Sequence, residues 1–124
     1  MSQLTPANPL GLKGISFTEF CSADSDFMHN VFMDFGFSKL KKAKGKDVDY
    51  YRQNNIHFLL NREKNGFSAE FTKAHGPAIS SMGWKVEDAQ AALKEAVARG
   101  AREATDKDYS YPAIYGIGDS LIYL

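Results

Sequence analysis

Two residues of this sequence, His57 and Glu19, have side chains that could act together in metal binding or acid–base chemistry. His57 alternates with Leu59 and Asn61 along a predicted strand, so these three side chains share one face of a sheet. Glu19 shares a face with Phe17 on another predicted strand. If the strands lie across from each other, an imidazole and a carboxyl group form a pair, but two protein ligands rarely retain a catalytic metal. The favoured interpretation is that both are polar, cleft-facing residues without a catalytic role.

The other candidate nucleophiles and ligands have ordinary structural interpretations. His29 falls in the middle of a predicted helix, at the boundary of its apolar face, and His75 lies in a His-Gly-Pro turn, where a side chain commonly bonds local backbone. Cys21 has no activating partner nearby in sequence, so we expect a small buried residue. As the only cysteine, it excludes an internal disulfide and a multi-thiolate zinc site.

Two repeated residue types also suggest binding. A group of lysines could be a basic patch, but it is more typical of the solvated face and turn of an edge hairpin: Lys39, Lys41, Lys42, Lys44 and Lys46. A group of tyrosines could stack on a planar ligand, but tyrosine also favours strands, and the core or interface interpretation is preferred: Tyr50, Tyr51, Tyr109, Tyr111 and Tyr115.

The elements that must position these residues follow a repeated order. Strand rhythm over 14–20 precedes a helix over 24–35, in which Phe27, Val31 and Phe35, with Met28 and Phe32 beside them, recur at helical spacing before Gly36. Three extended segments follow at 37–42, 48–52 and 56–61. The first half is therefore predicted to be a βαβββ module.

The second half repeats this order. A strand is predicted over 78–86, a helix over 87–99 closed by Gly100, and extended segments near 101–105, 112–115 and 120–124. We expect one α+β domain over 1–124: module one at about 14–61, a crossing segment at about 62–77 with a short helical turn around 68–74, and module two at about 78–124. A module this small cannot close its own core, so the two are expected to pair around a shared cleft as a half-open barrel.

Composition limits the partners. The chain has 124 residues, 44% of them hydrophobic and 24% charged, with fifteen basic and fifteen acidic side chains. A neutral balance provides no general attraction to nucleic acid or to an anionic membrane. The first residues lack a basic region followed by an apolar run, and no stretch approaches the roughly twenty apolar residues that span a bilayer. We expect a cytoplasmic protein that binds neither.

Five stretches of the sequence carry a family resemblance, and together they extend from about residue 8 to the end. They are Asn8-Pro-Leu-Gly-Leu-Lys-Gly14, Tyr51-Arg-Gln53 with Leu60-Asn61, His75-Gly-Pro77, Met82-Gly-Trp-Lys-Val86, and Pro112-Ala-Ile-Tyr-Gly-Ile-Gly118 before Leu121-Ile-Tyr-Leu124. Their order resembles the amino-terminal domain of bacterial 4-hydroxyphenylpyruvate dioxygenases, within the vicinal oxygen chelate (glyoxalase, bleomycin-resistance and dioxygenase) superfamily. The resemblance implies the α+β glyoxalase-like fold.

The resemblance also implies where a metal would bind. In the superfamily, ligands come from the first and fourth strands of each module, and these positions correspond to Phe17, Leu59, Ser81 and Tyr123. None of the four is a good divalent-metal ligand at neutral pH. The iron(II) of the family is held by two histidines and a glutamate of a second domain. This chain is therefore expected to hold no metal, cofactor or catalytic residue.

The expected parent enzyme oxidises 4-hydroxyphenylpyruvate to homogentisate in tyrosine catabolism. This chain would be its scaffold, inactive alone, with the carboxy-terminal catalytic domain and further copies of itself as partners. The sequence ends inside the apolar stretch Tyr123-Leu124, which favours a fragment. The resemblance leaves hydroxymandelate-forming and haemolysin-like relatives open as the parent. The alternatives are a stand-alone small-molecule-binding protein of the bleomycin-resistance type and a glyoxalase-like metal enzyme, which the four ligand positions disfavour.

Overall fold

The structure, a computed structural model, describes residues 5–124. Residues 1–4, which begin the segment expected to lack a targeting signal, lie outside the described residues. The described chain forms seven strands and three α-helices. In chain order these are β1 Leu12–Cys21, α1 Ser25–Asp34, β2 Ser38–Lys42, β3 Val48–Gln53, β4 Ile56–Asn61, α2 Phe67–His75, β5 Ala78–Val86, α3 Ala89–Ala98, β6 Ala113–Tyr115 and β7 Leu121–Tyr123. No helix within the described part has the length and apolar character needed to cross a membrane.

The chain divides into two compact units, and β1 and β5 contribute residues to both. One unit is the continuous segment Phe17–Ser81, in which the strands follow the order β2-β3-β4-β1-β5. Here β1 and β4 are parallel, and β3 pairs antiparallel with both β2 and β4. The other unit contains Met82–Leu124 with the chain up to Ser16, and its antiparallel strands β6 and β7 follow α3. The predicted α+β fold class is confirmed.

Both long helices begin and end where the sequence predicts. The Asp24 side chain accepts a hydrogen bond from the backbone N–H of Phe27, at 3.1 Å, and Asp88 accepts one from Ala91 at 3.0 Å. The two closing glycines, Gly36 and Gly100, have φ of +91° and +106°. Only glycine adopts such angles without strain. The same helix-stop signal therefore occurs twice in the chain, at glycines 64 residues apart.

The core of the Phe17–Ser81 unit is mostly aromatic. Phe32 of α1 contacts the rings of Phe20, Tyr51 and Phe58 at centroid distances of 4.9 to 5.2 Å. Phe37 stacks on Phe58 with centroids 4.4 Å apart. These rings are contributed by β1, α1, the α1–β2 junction, β3 and β4, so their packing fixes the helix on one face of the sheet.

The buried side of α1 differs from the most regular apolar spacing of the sequence. Phe32 is buried and Met28 packs beside it, whereas Phe27 and Phe35 are exposed to solvent. Two apolar rows lie next to each other on this helix, and helical periodicity alone does not decide between them. Phe32 packs between the rings of Phe20, Tyr51 and Phe58, and this packing determines which of the two rows is buried.

Two segments differ from the prediction in length. The crossing segment contains a full helix, α2, rather than a short turn. The strand expected near 101–105 is reduced to one bridge between Glu103 and Ile114. The Ala104 N–H donates to the Ala113 carbonyl, and the Tyr115 N–H donates to the Arg102 carbonyl. The polar residues from Asp106 to Asp108 then depart from the strand direction. The sequence pattern predicts a longer strand than the structure has, because hydrogen bonds at two residues are enough to pair this segment with β6.

An ionic cluster around the buried carboxylate of Asp49 links β2, β3, the residue after β4 and the first turn of α1. The side chain of Asp49 is fully buried and accepts a 2.7 Å hydrogen bond from Arg62 Nε. Arg62 also donates to Asp26, and the ammonium groups of Lys39 and Lys42 lie 3.4 and 3.6 Å from the Asp49 carboxylate. Burial alone raises the pKa of Asp49, but the bond from Arg62 and the two lysine charges outweigh it, and the pKa is lowered.

Replacement of the first stop glycine, Gly36→Ala, should destabilise the protein more than Gly100→Ala. Both substitutions strain a left-handed backbone by ~1–2 kcal/mol. At Gly36 an added Cβ lies 2.8 Å from Gln53 Nε2, which donates to the Phe35 carbonyl, whereas the space at Gly100 is open. Loss of that bond adds ~0.5–1.5 kcal/mol. Urea unfolding of the two variants measures the difference, and equal losses would contradict the role of Gln53.

Arg62→Met should cost ~2–4 kcal/mol of unfolding free energy at pH 7, because it leaves the Asp49 carboxylate buried without its main partner. The lowered pKa means that Asp49 stabilises the wild-type fold above the unfolded-state value of ~3.9 and loses this contribution as the pH falls. In the variant, burial without Arg62 favours protonation. The difference between the two proteins in urea unfolding should therefore narrow from pH 7 to pH 4, whereas a constant difference would show that Arg62 acts by packing alone.

Candidate functional site

The candidate site of the Phe17–Ser81 unit centres on a buried carboxyl group, Glu19. Its side chain is 1% exposed, and Ser81 Oγ donates to Oε1 at 2.6 Å while Asn61 Nδ2 donates to Oε2 at 3.1 Å. Asn61 in turn accepts a 2.9 Å bond from the backbone N–H of Glu63. Because β1, β4 and β5 each provide one of these side chains, the cluster connects three strands. Both oxygens of the carboxyl group are engaged within the protein.

Cys21 lies two residues along β1 from Glu19 and is buried, as the sequence predicts. Burial raises the pKa of its thiol, and the charge of Glu19 raises it further, while bonds with Thr72, Ser80 and the Ala78 carbonyl lower it by less. A thiol with a raised pKa is a poor nucleophile and a poor metal ligand at neutral pH. This residue therefore serves packing.

His57 forms its hydrogen bond with a tyrosine of the neighbouring strand. Its Nδ1 atom is 2.5 Å from the Tyr50 hydroxyl, and the two rings stack with centroids 5.7 Å apart. The ammonium group of Lys41 lies 5.8 Å from the centre of the Tyr50 ring. In the parallel pairing of β1 with β4, the partner of Glu19 is Leu59, which places His57 two residues away along the strand. The structure thus assigns Glu19 and His57 to separate polar groups.

The four positions that the family resemblance assigns to metal ligands hold side chains with little donor capacity. Phe17 and Leu59 are half-buried hydrocarbons, and the hydroxyl of Ser81 already donates to Glu19. Tyr123 lies in the other unit, where it is buried and its hydroxyl accepts a 3.3 Å bond from the Tyr109 N–H. These side chains do not fit the hard or borderline donor set that iron(II) prefers.

The remaining histidines occupy structural positions. His29 of α1 is half-buried, and its Nδ1 is 2.7 Å from the hydroxyl of the core residue Tyr51. His75 ends α2, where its exposed ring packs against Phe71 with centroids 4.2 Å apart. Across residues 5–124, no group of three or more His, Cys, Asp and Glu side chains is arranged to hold a metal ion.

Sequence reasoning missed a polar pocket of about 740 Å³ within the same unit. Asn61, Ser68 and Thr72 line it together with charged residues of both signs, among them Asp26 and Arg62. Its walls come from 22–26, Asp47, 61–64, 68–69 and 72–73. These segments are distant in sequence, so no local motif predicts the pocket. The Arg62 and Asp26 side chains pair with each other, and the pocket lining includes neither histidine nor cysteine.

Comparison with known proteins identifies a family to which the chain is similar. A family model described as hydroxyphenylpyruvate dioxygenase, HPPD, N-terminal matches residues 7–124. Protein MelA of Shewanella colwelliana is 72% identical over 118 residues, covering 94% of this chain and 34% of MelA. The 4-hydroxyphenylpyruvate dioxygenase of Pseudomonas sp. (strain P.J. 874) is 36% identical over 121 residues, with the same coverage of both chains.

Among solved structures, a xylose isomerase-like TIM barrel/4-hydroxyphenylpyruvate dioxygenase fusion protein superimposes with a TM-score of 0.85 and 32% identity. The match covers 91% of this chain and 19% of the fusion protein. The chain thus spans about a third of the length of the curated relatives described above. From the match over residues 7–124, this chain belongs to the family of hydroxyphenylpyruvate dioxygenase amino-terminal domains.

Proposed function

We propose that this chain is the amino-terminal, non-metal-binding scaffold domain of a 4-hydroxyphenylpyruvate dioxygenase-like protein. The whole polypeptide would oxidise 4-hydroxyphenylpyruvate to homogentisate in tyrosine catabolism, with iron(II) and dioxygen, the keto acid supplying two electrons. The observation that carries the proposal is the family match over nearly the entire chain, 7–124. The length of the relatives supports a catalytic domain elsewhere in the same polypeptide.

The donor chemistry of this chain supports a scaffold role. A ferrous dioxygenase needs lone-pair donors on one side of the ion and open positions on the other. Phe17 and Leu59 have no lone pairs, and the Ser81 hydroxyl is a weak ligand that already donates to Glu19. The Tyr123 hydroxyl is buried and accepts a bond from the Tyr109 N–H. Iron would therefore bind to residues of the carboxy-terminal part. The role of the present chain is to fold, to pack against that part and to take part in oligomer contacts in the cytoplasm.

The Glu19 cluster fits this role better than a catalytic one. A general base must reach a substrate proton, whereas Glu19 is 1% exposed and bonded to Asn61 and Ser81. In this arrangement the carboxyl group holds three strands together. The stand-alone binding protein considered from the sequence has weaker support, because the MelA and dioxygenase relatives are about three times as long as this chain.

The isolated chain, supplied with iron(II), 4-hydroxyphenylpyruvate and dioxygen, should consume no oxygen above background. The reason is the lack of a donor set at Phe17, Leu59, Ser81 and Tyr123. An oxygen electrode measures turnover, and the full-length 4-hydroxyphenylpyruvate dioxygenase of Pseudomonas sp. (strain P.J. 874) is the positive control. Binding of about one iron per chain at micromolar affinity, or turnover by the isolated chain, would overturn the scaffold assignment.

Ser81→Ala should destabilise the fold by ~1–3 kcal/mol, because it leaves an oxygen of a buried carboxyl group without its donor. Ser80→Ala is the matched control, since Ser80 bonds to the neutral hydroxyl of Ser68 at 2.7 Å. We expect a loss of ~0.5–1.5 kcal/mol for the control. Urea unfolding measures both. A Ser81 variant with unchanged stability but altered iron affinity would instead indicate a ligand role.

A further inference from the structure

The connection between β4 and α2 contains the only asparagine of the sequence that is followed directly by a glycine, Asn65-Gly66. Both residues are exposed to solvent. The backbone nitrogen of the next residue can attack an asparagine side chain, because the two groups are placed to close a five-membered ring. A side chain on that next residue hinders the attack, and glycine has none. The pair is therefore the position of the chain where this intramolecular reaction is least hindered.

The backbone around Gly66 leaves its nitrogen available. Gly66 has φ of +104° and ψ of −173°, a conformation that only glycine adopts without strain. It is the N-cap residue of α2, and its carbonyl accepts a 3.1 Å bond from the Glu70 N–H. Its own N–H takes part in none of the backbone hydrogen bonds formed within residues 5–124. The attacking nitrogen thus belongs to an exposed residue and has no backbone hydrogen bond to break.

The charges at the start of α2 favour an anion at Asn65. The helix has no side-chain cap, because its N-cap residue is Gly66. The N–H groups of the first turn therefore concentrate partial positive charge. Glu70, the acidic residue of that turn, is paired with Lys73 at 3.0 Å. Lys64, which is exposed, adds a positive charge directly before Asn65 in sequence.

We propose that Asn65 is a site of spontaneous deamidation, a modification that consumes water and needs no enzyme. The Gly66 nitrogen gives its proton to water and bonds to Cγ of Asn65. The bond from Cγ to Nδ2 then breaks, and the departing nitrogen takes a proton from water and leaves as ammonia. A second water opens the resulting succinimide ring. Opening at Cγ gives aspartate, and opening at the backbone carbonyl gives isoaspartate, in which the main chain runs through the former side chain.

The two products should affect α2 in opposite directions. Aspartate places a carboxylate beside the uncapped first turn, where the helix dipole stabilises it. Isoaspartate adds a methylene group to the main chain directly before the N-cap residue, and so displaces the start of the helix. Ser68 lies in this first turn, and its buried hydroxyl is 2.7 Å from the hydroxyl of Ser80 on β5. An ageing chain therefore becomes a mixture of folded forms that differ in stability.

Peptide mapping by mass spectrometry tests the site in the folded chain at neutral pH. Asn65 should deamidate at least ~10-fold faster than Asn55, which is also exposed but precedes the β-branched Ile56. The folded chain should react within ~3-fold of the rate in urea, because the exposed connection does not protect the side chain. Asn65→Gln is the control variant, since its longer side chain would have to close a six-membered ring. It should show no modification at this position.

Urea unfolding tests the consequence for α2. Asn65→Asp should have a higher urea midpoint than the fresh wild-type chain at low salt, and the gain should disappear at high salt. An aged wild-type sample rich in isoaspartate, recognised by its methylation with an isoaspartyl methyltransferase, should have a lower midpoint than the fresh chain. Asn65→Gln stored under the same conditions should keep its midpoint.

Two outcomes would overturn the proposal. A rate at Asn65 no higher than that at Asn55, or far below the rate in urea, would show that the folded connection protects the side chain. Full deamidation without any change in the urea midpoint would contradict the coupling to α2. These measurements do not involve iron or oxygen consumption, so their failure is distinct from a failure of the proposed dioxygenase function.

Discussion

The side chains that join β1, β4 and β5 depend on one set of interactions, the hydrogen bonds to the buried carboxyl group of Glu19. A carboxyl group removed from water is costly unless hydrogen bonds replace its hydration. Asn61 at the end of β4 and Ser81 on β5 provide those bonds, so both strands must hold their register relative to β1. Ser81 also occupies one of the positions that the family resemblance assigns to a metal ligand. In this chain the Ser81 hydroxyl stabilises the sheet by donating a hydrogen bond to Glu19, which lies in the same unit.

Local chemistry made much of the fold predictable. The helix ends were predicted at Gly36 and Gly100, because a left-handed glycine stops a helix within a few residues. The capping carboxylates of Asp24 and Asp88 lie at the predicted helix starts. What failed depends on distant partners. The orientation of α1 was decided by aromatic rings from three strands, and the strand near Glu103 shrank to one bridge because only its pairing with β6 defines its length.

The residues of the candidate site could be predicted from the sequence, but the contacts between their side chains could not. Alternation identified Glu19 and His57 as residues of strand faces, and the burial of Cys21 followed from its lack of activating neighbours. Which side chains meet depends on the register between strands, and β1 and β4 are about forty residues apart in the chain. The pairing of Glu19 with Leu59 and of Tyr51 with Phe58 gives His57 a tyrosine neighbour and Glu19 an asparagine. No periodicity within a single strand contains that information.

A fold shared with metal enzymes has to satisfy its interior polar groups whether or not a metal binds. In a metal site the ion neutralises ligand side chains that would otherwise be costly to bury. In this chain the same requirement is met by internal bonds, such as Ser81 to Glu19 and Tyr50 to His57. Ligands introduced at Phe17 and Leu59 would not by themselves complete a metal site, because the Ser81 hydroxyl already donates to Glu19. The scaffold role proposed above agrees with this arrangement, in which two separate pairs of polar side chains are already bonded within the protein.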